Sequence, residues 1–254
     1  MEKAAAVEQS NEQIRAQKEQ LEKSNSEKNK LMSIISHDLR SPLMNIQNYL
    51  QLLNENRVDD SNRAAVEKSL LQSTNGAVEM LSNFLHWSKS QMDGVNANPA
   101  IINLHTALQS TLEMEKVNAA KKDIALNIHI PATLQVLADV DMLQLVVRNL
   151  ISNAIKFTPA GGKIEVNAVT AAKECKITIK DNGIGIAPEK QDKIFSIRAE
   201  STYGTLNEKG IGLGLMLCKD FIERQGGRID FESSPGEGSG FYIFIPLPAL
   251  TAVS

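Results

Sequence analysis

Apolar positions along the chain follow two different rules. Met32, Ile35, Leu39, Leu43, Ile46, Leu50 and Leu53 recur with a mean spacing of 3.5 residues. That period is the seam of a helix packed against partner helices. Polar residues 54–62 then predict a turn. A second helix follows, with Val66, Leu70, Ala77, Leu81 and Phe84 on one face. Two helices cannot bury both stripes alone, whereas two copies of the hairpin can, as a four-helix bundle. Each fully buried Leu or Ile is worth about 1.5–3 kcal/mol, so the pattern predicts a homodimer. Upstream, Val7, Ile14 and Leu21 recur at seven, but Ser10, Gln17 and Ser24 thin the heptad. Residues 1–30 read as a weak coiled-coil-like helix, with a solvated single helix as the alternative. The Asp-Gly-Val-Asn-Ala-Asn-Pro run at 93–99 reads as a linker.

From residue 100 the pattern becomes mixed. Short apolar or alternating runs predict strands at 101–102, 124–130, 134–138, 164–170, 175–180, 228–233 and 241–245. Amphipathic stretches predict helices over 104–119, 140–156 and 212–225. Strands and helices without regular alternation imply an α+β two-layer sandwich over 100–248, with 249–254 as a tail.

Glycine sharpens this division. Of 15 glycines, only Gly76 and Gly94 precede residue 160. The front is built for continuous helix, the back for loops. Charge excludes other classes. Lys and Arg number 27 against 30 Asp and Glu, and no basic block stands apart, so no nucleic-acid partner is expected. No apolar run approaches the roughly 18 residues needed to cross a bilayer, so no membrane contact is expected within this chain. Cys175 and Cys218 read as buried thiols of a reducing cytoplasm.

Four constellations carry candidate chemistry. Asn149, Asn153 and Lys156 are spaced four and three apart, which puts them on one helix face. Asparagine carbonyls suit Mg²⁺, and lysine supplies a point charge for phosphate. Asp181-Asn182-Gly183-Ile184-Gly185 follows a strand. A carboxylate there can accept from the exocyclic amine of a base, and the glycines let backbone approach a flat ring. An Asn-Gly hairpin is the alternative. Gly210, Gly212, Gly214 and Leu215 open a helix, where backbone donors can meet phosphate. Between these two lies a polar stretch, 195–209, with the length of a lid. Finally, His37 sits about two residues from Ile35 and Leu39, roughly opposite the seam, with Asp38 beside it and Ser41 one turn on. Pro42 follows, a predicted kink. On the helix alone His37 reads as an ordinary surface histidine, while His86, His105 and His129 read as structural residues within their elements.

Together these segments resemble sensor histidine kinases of two-component systems. Ser36-His37-Asp38-Leu39-Arg40-Ser41-Pro42 is similar to their H-box. Asn149 to Pro159 is similar to the N-box, Asp181 to Gly185 to the first glycine box, Phe195 to the F-box, and Gly210 to Leu215 to the second glycine box. The resemblance covers about residues 28–247. It implies a dimerisation and histidine-phosphotransfer domain at 31–92, followed by a catalytic domain of the Bergerat (GHKL) fold that binds ATP. It further implies that Asn153 binds Mg²⁺ with Asn149 in support, and that Lys156 contacts phosphate. Asp181 would hold adenine in a pocket shaped by Gly183 and Gly185, with Phe157 packed beside it. Gly210, Gly212 and Gly214 would hinge the lid. His37 would take the γ-phosphoryl group, Asp38 would act as its base, and an aspartate of a response regulator would receive it. Asp38 stands where Glu is frequent, and Ser41 where bifunctional members carry Thr or Asn, so phosphatase activity toward the regulator is the weaker expectation. Arg198 is a candidate for the γ-phosphate, against a plain surface arginine. A Bergerat-type ATPase clamp and a non-catalytic nucleotide-binding scaffold are the rival readings. The chain reads as cytoplasmic, and as the cytoplasmic part of a longer receptor.

Overall fold

A computed structural model describes residues 2–55, 59–92, 97–196, 204–205 and 214–248. The chain divides into two compact units, Met1–His86 and Trp87–Ser254. In the first unit, helix α1 spans Glu2–Asn54 and continues through Pro42. Helix α2 spans Asp60–Met92, and all but its last residues belong to the same unit. The thin heptad and the strong seam therefore belong to one helix, and the turn between the two helices is shorter than the polar run 54–62. Ser36 donates its hydroxyl to the Met32 carbonyl one turn back (2.8 Å). On the seam, Leu39, Ile46 and Leu53 are half-buried, while Met32, Leu43 and Leu50 are exposed. On α2, Ala77 and Met80 are buried, while Leu71, Val78, Leu81 and Leu85 face solvent. A single chain thus leaves much of both stripes uncovered.

The second unit is a sandwich of a five-stranded sheet and three helices. Strands β2 (Ala125–His129), β4 (Lys163–Ala171), β5 (Glu174–Asp181), β6 (Arg228–Ser234) and β7 (Gly238–Pro246) lie in the order β2-β4-β5-β7-β6. Among the described strands of this sheet only the β2–β4 pair is parallel. Strands β1 (Ala100–Asn103) and β3 (Gln135–Ala138) form a separate antiparallel pair. The helices are α3 (Leu104–Lys121), α4 (Val140–Phe157) and α6 (Gly214–Arg224), with a single turn, α5, at Pro188–Gln191.

Period-two alternation decides what the sheet buries. Ile164, Val166 and Ala168 of β4, Cys175, Ile177 and Ile179 of β5, and Phe241, Ile243 and Ile245 of β7 form one buried face. Leu104, Leu108 and Leu112 of α3, Leu143, Val146, Val147, Leu150 and Ile151 of α4, and Leu217, Phe221 and Ile222 of α6 complete the core. The other sheet face is polar, with Lys176 Nζ 3.9 Å from the Tyr242 ring centroid and the Arg228 guanidinium 3.7 Å from that of Phe244. Both cysteines are buried, and burial pushes the Cys175 thiol up to about 11. His105 and His129 lie exposed on α3 and β2.

Two caps fix the helices that matter for the site. Asn103 accepts from the Thr106 amide (2.9 Å) at the start of α3. Asp139 accepts from the Met142 amide (3.1 Å) at the start of α4. The Asp139 amide donates to Gln225 Oε1 (2.8 Å), and Gln225 Nε2 donates to the Phe221 carbonyl (2.8 Å). The end of α6 is thereby tied to the start of α4.

Candidate nucleotide site

Helix α4 gathers the separate motifs. Its amphipathic sequence turns Leu143, Val146, Val147, Leu150 and Ile151 inward, which leaves Asn149, Asn153 and Lys156 on a half-buried polar strip. Asn153 Nδ2 donates to Asn149 Oδ1 (3.4 Å). That bond orients both amides and leaves the Asn153 carbonyl oxygen, a hard ligand, outside it. Lys156 Nζ lies 4.9 Å from the Phe157 ring centroid.

The second glycine box meets one end of this strip. A Cβ on Gly214 would stand 2.5 Å from Asn149 Oδ1 and 2.8 Å from its Nδ2. Glycine at the start of α6 is therefore what lets the helix approach Asn149. Leu215 follows, half-buried. Gly210, Gly212 and Arg198 lie outside the described residues.

The first glycine box meets the other end. The Ile184 amide donates to the Phe157 carbonyl (3.1 Å), and a Cβ on Gly183 would strike that same oxygen. Gly185 has φ +68°, and a Cβ there would strike the Ser234 carbonyl. Gly185→Ala thus incurs a left-handed penalty of about 1–2 kcal/mol before the clash is counted. The expected result is a lower Tm together with weakened nucleotide binding, read by thermal unfolding with and without ATP.

Asp181 is the chemical centre of this loop. It continues the inward register of Cys175, Ile177 and Ile179, so a carboxylate falls where an apolar residue would otherwise sit. It is only 6% exposed. Its Oδ1 accepts from the amides of Gly183 (2.8 Å) and Ser239 (3.2 Å). Burial raises its pKa above the usual carboxylate value, and the two backbone donors pull the other way. A Cβ on Gly238 would stand against the Asp181 carbonyl, so glycine lets β7 close over the end of β5.

Three groups had no local signature in the sequence. Ser233 Oγ accepts from the Ile186 amide (2.8 Å) and lies 3.0 Å from Ser239 Oγ. Thr205 Oγ1 donates to the Lys156 or Thr158 carbonyl (3.2 Å each). Lys122 Nζ reaches the end of α4 from α3. All three act through contacts far apart in sequence. The F-box residue Phe195 packs edge-on against Phe231 (5.8 Å between centroids), which itself stacks on Phe241. His37, Asp38 and Ser41 lie within α1, and their side chains are outside the description.

An α+β sandwich whose asparagine-bearing helix meets a buried carboxylate loop and a glycine-started helix defines a nucleotide-binding domain of the Bergerat class. Comparison with known proteins agrees. Residues 138–249 match the family of histidine kinase-, DNA gyrase B- and HSP90-like ATPases, and residues 27–92 match the His Kinase A (phospho-acceptor) domain. The Adaptive-response sensory kinase SasA of Synechocystis is 30% identical over 92% of this chain and 63% of its own length. The sensor protein EvgS of Escherichia coli O157:H7 is 29% identical over 89% of this chain and 19% of its own. The chain therefore spans less than two thirds of these relatives. Histidine kinase ThkA, solved in complex with response regulator protein TrrA, shares the fold at a TM-score of 0.67, with 22% identity over 85% of this chain and 61% of that one. The chain thus carries the phospho-acceptor domain and the ATPase domain that together make a sensor histidine kinase core.

Proposed function

We propose that the protein autophosphorylates on His37 from Mg-ATP and passes the phosphoryl group to an aspartate of a response regulator. The observation that carries this reading is the convergence of the N-box and both glycine boxes on α4, in a chain whose α1 holds the His37 motif. Asp181 accepts from the adenine amine, and Gly183 and Gly185 admit the ring. Ile184 is exposed beside that loop and offers apolar surface to the base. Lys156 contacts phosphate, Gly210, Gly212 and Gly214 hinge the lid, and Arg198 is the candidate for the γ-phosphate. The Asn153 carbonyl oxygen fits Mg²⁺, which prefers oxygen ligands and supplies charge neutralisation to the triphosphate.

In the transfer step a neutral His37 ring nitrogen attacks the γ-phosphorus. The P–N bond forms, the P–O bond to the β-phosphate breaks, and ADP leaves. Asp38 orients the imidazole and takes its proton. The acceptor aspartate then attacks the phosphohistidine. Ser41 is the candidate for orienting a hydrolytic water on the regulator.

The partition of labour supports domains at 31–92 for dimerisation and phosphotransfer and at 100–248 for catalysis. Residues 1–30 would then be a signal-transmitting connector and 93–99 a linker. The uncovered apolar stripes of α1 and α2 support a homodimer. Among the described residues no helix is long and apolar enough to cross a membrane. A cytoplasmic location accords with the two unpaired thiols.

Asn153→Ala separates the two roles. The variant is expected to lose Mg-ATP-dependent labelling and to elute as the wild-type dimer on sizing. A monomeric elution would contradict the assignment of dimerisation to the hairpin alone.

A further inference from the structure

Lys122 is a lysine buried at the end of α3, with only 8% of its surface exposed. Its amide closes α3 on the Ala119 carbonyl (3.0 Å), while its side chain crosses to another helix. Lys122 Nζ donates to the Ile155 carbonyl (2.8 Å) and the Lys156 carbonyl (2.9 Å). These belong to the last turn of α4, where four carbonyls have no partner within the helix itself.

The four can be accounted for one by one. Ala154 O accepts from the Thr158 amide (3.0 Å), which closes the helix. Ile155 O accepts from Lys122. Lys156 O accepts from Lys122 and from the Thr205 amide (3.1 Å), with Thr205 Oγ1 at 3.2 Å. Phe157 O accepts from the Ile184 amide (3.1 Å). The end of α4 is thus a junction of α3, the adenine loop and the segment at Thr205. Lys122 brings a cation from another helix to this junction, at the negative end of the helix dipole.

We propose that Lys122 is a positioning residue for the nucleotide site. It holds the backbone of Lys156 and the preceding residue, and so sets where the phosphate-facing lysine and the Phe157 carbonyl that carries Ile184 come to rest. The proposal rests on the kinase reading above, because the affinity it predicts is for Mg-ATP. Thr205 shares the Lys156 carbonyl and is the independent check.

The test is equilibrium binding of a fluorescent ATP analogue with Mg²⁺ to the full chain, alongside autophosphorylation at varied ATP. Lys122→Met keeps the aliphatic stem and removes the donors. Its dissociation constant is expected to rise about tenfold, within the range of site-to-site coupling in folded proteins. The effect should fall on Kd and KM more than on the rate at saturating ATP, with Lys122→Arg between Met and wild type. Thr205→Val removes the Oγ1 donor and keeps the amide bond to Lys156 O. Combined with Lys122→Met it is expected to weaken binding by more than the product of the single effects, since only the double variant removes both side-chain donors to that carbonyl. Wild-type affinity in folded Lys122→Met, whatever its Tm, overturns the proposal. If that variant does not fold, Lys122→Leu, which also lacks a donor, takes its place under the same criterion. Failure of the wild-type protein to bind Mg-ATP would overturn the kinase reading instead.

Discussion

Wild-type protein incubated with labelled ATP and Mg²⁺ is expected to acquire an acid-labile, base-stable phosphate, and His37→Gln to acquire none. Phosphohistidine is a phosphoramidate, so its lability separates it from phosphoserine and phosphoaspartate. The loss should be complete, because the substitution removes the nucleophile and leaves the donor site intact. His37→Gln should therefore bind ATP with wild-type affinity. Label that survives in His37→Gln would point to another acceptor and sink the assignment. Mixing His37→Gln with Asn153→Ala subunits then decides the geometry of the dimer. Label on the mixed dimer means that one subunit phosphorylates its partner. An unlabelled mixed dimer, with active wild-type controls, means that each subunit phosphorylates itself.

Asp181→Asn is expected to part stability from binding. The two groups that donate to Asp181 Oδ1, the Gly183 and Ser239 amides, can donate equally to an asparagine carbonyl. The fold therefore keeps its bonds. Burial raises the native pKa of Asp181 above its unfolded value. A group shifted in that sense adds stability only below its unfolded pKa, and that stability is lost as pH rises through the raised native pKa. At neutral pH the ionised carboxylate is thus a net cost to the ligand-free domain. Asparagine removes the charge, so Tm at neutral pH should hold or rise, and the difference from wild type should shrink toward acid. Adenine binding should move the other way. The variant loses a charged acceptor for the exocyclic amine and presents an NH₂ in its place. Charged hydrogen bonds contribute about 1.5–3 kcal/mol, so affinity should fall roughly ten- to hundredfold. Calorimetry of ATP binding and thermal unfolding across pH measure the two halves separately. A variant that is both less stable and normally binding would contradict the account of this carboxylate.

Much of this site could be read before the fold was known, and the reason lies in periodicity. The alternation of Cys175, Ile177 and Ile179 runs on to Asp181, which places a carboxylate on the buried face. The four- and three-residue steps from Asn149 to Lys156 put polar groups on one side of an otherwise apolar helix. Such signals are local, and a helix or strand period converts them directly into a shared face. Lys122 carries no such signal. It follows Lys121 in a polar stretch and reads as an ordinary surface lysine, yet it is buried against α4. Ser233, Ser239, Thr205 and Gln225 are equally plain in sequence. Each acquires its role from a partner on a distant element, and no window of the chain contains both. The register of β5 against β7 is the same kind of fact, since it brings Ser239 to Asp181 across the whole second glycine box. Met80 is buried within the single chain, whereas its neighbour Leu81, on the stripe expected to meet a second copy, is exposed there.

The sheet order has a consequence for how this fold can vary. Strands β5 and β7 are paired neighbours, yet the chain leaves the sheet at Asp181 and rejoins it only at Arg228. The stretch between carries the Asp181 loop and α6, and α6 packs Leu217, Phe221 and Ile222 into the core. Doubling the length of a segment tied at both ends costs only about 0.6 kcal/mol in closure entropy. The pairing of β5 with β7 is indifferent to that length. The pairing of the sheet therefore does not by itself fix the length of chain that joins β5 to β6.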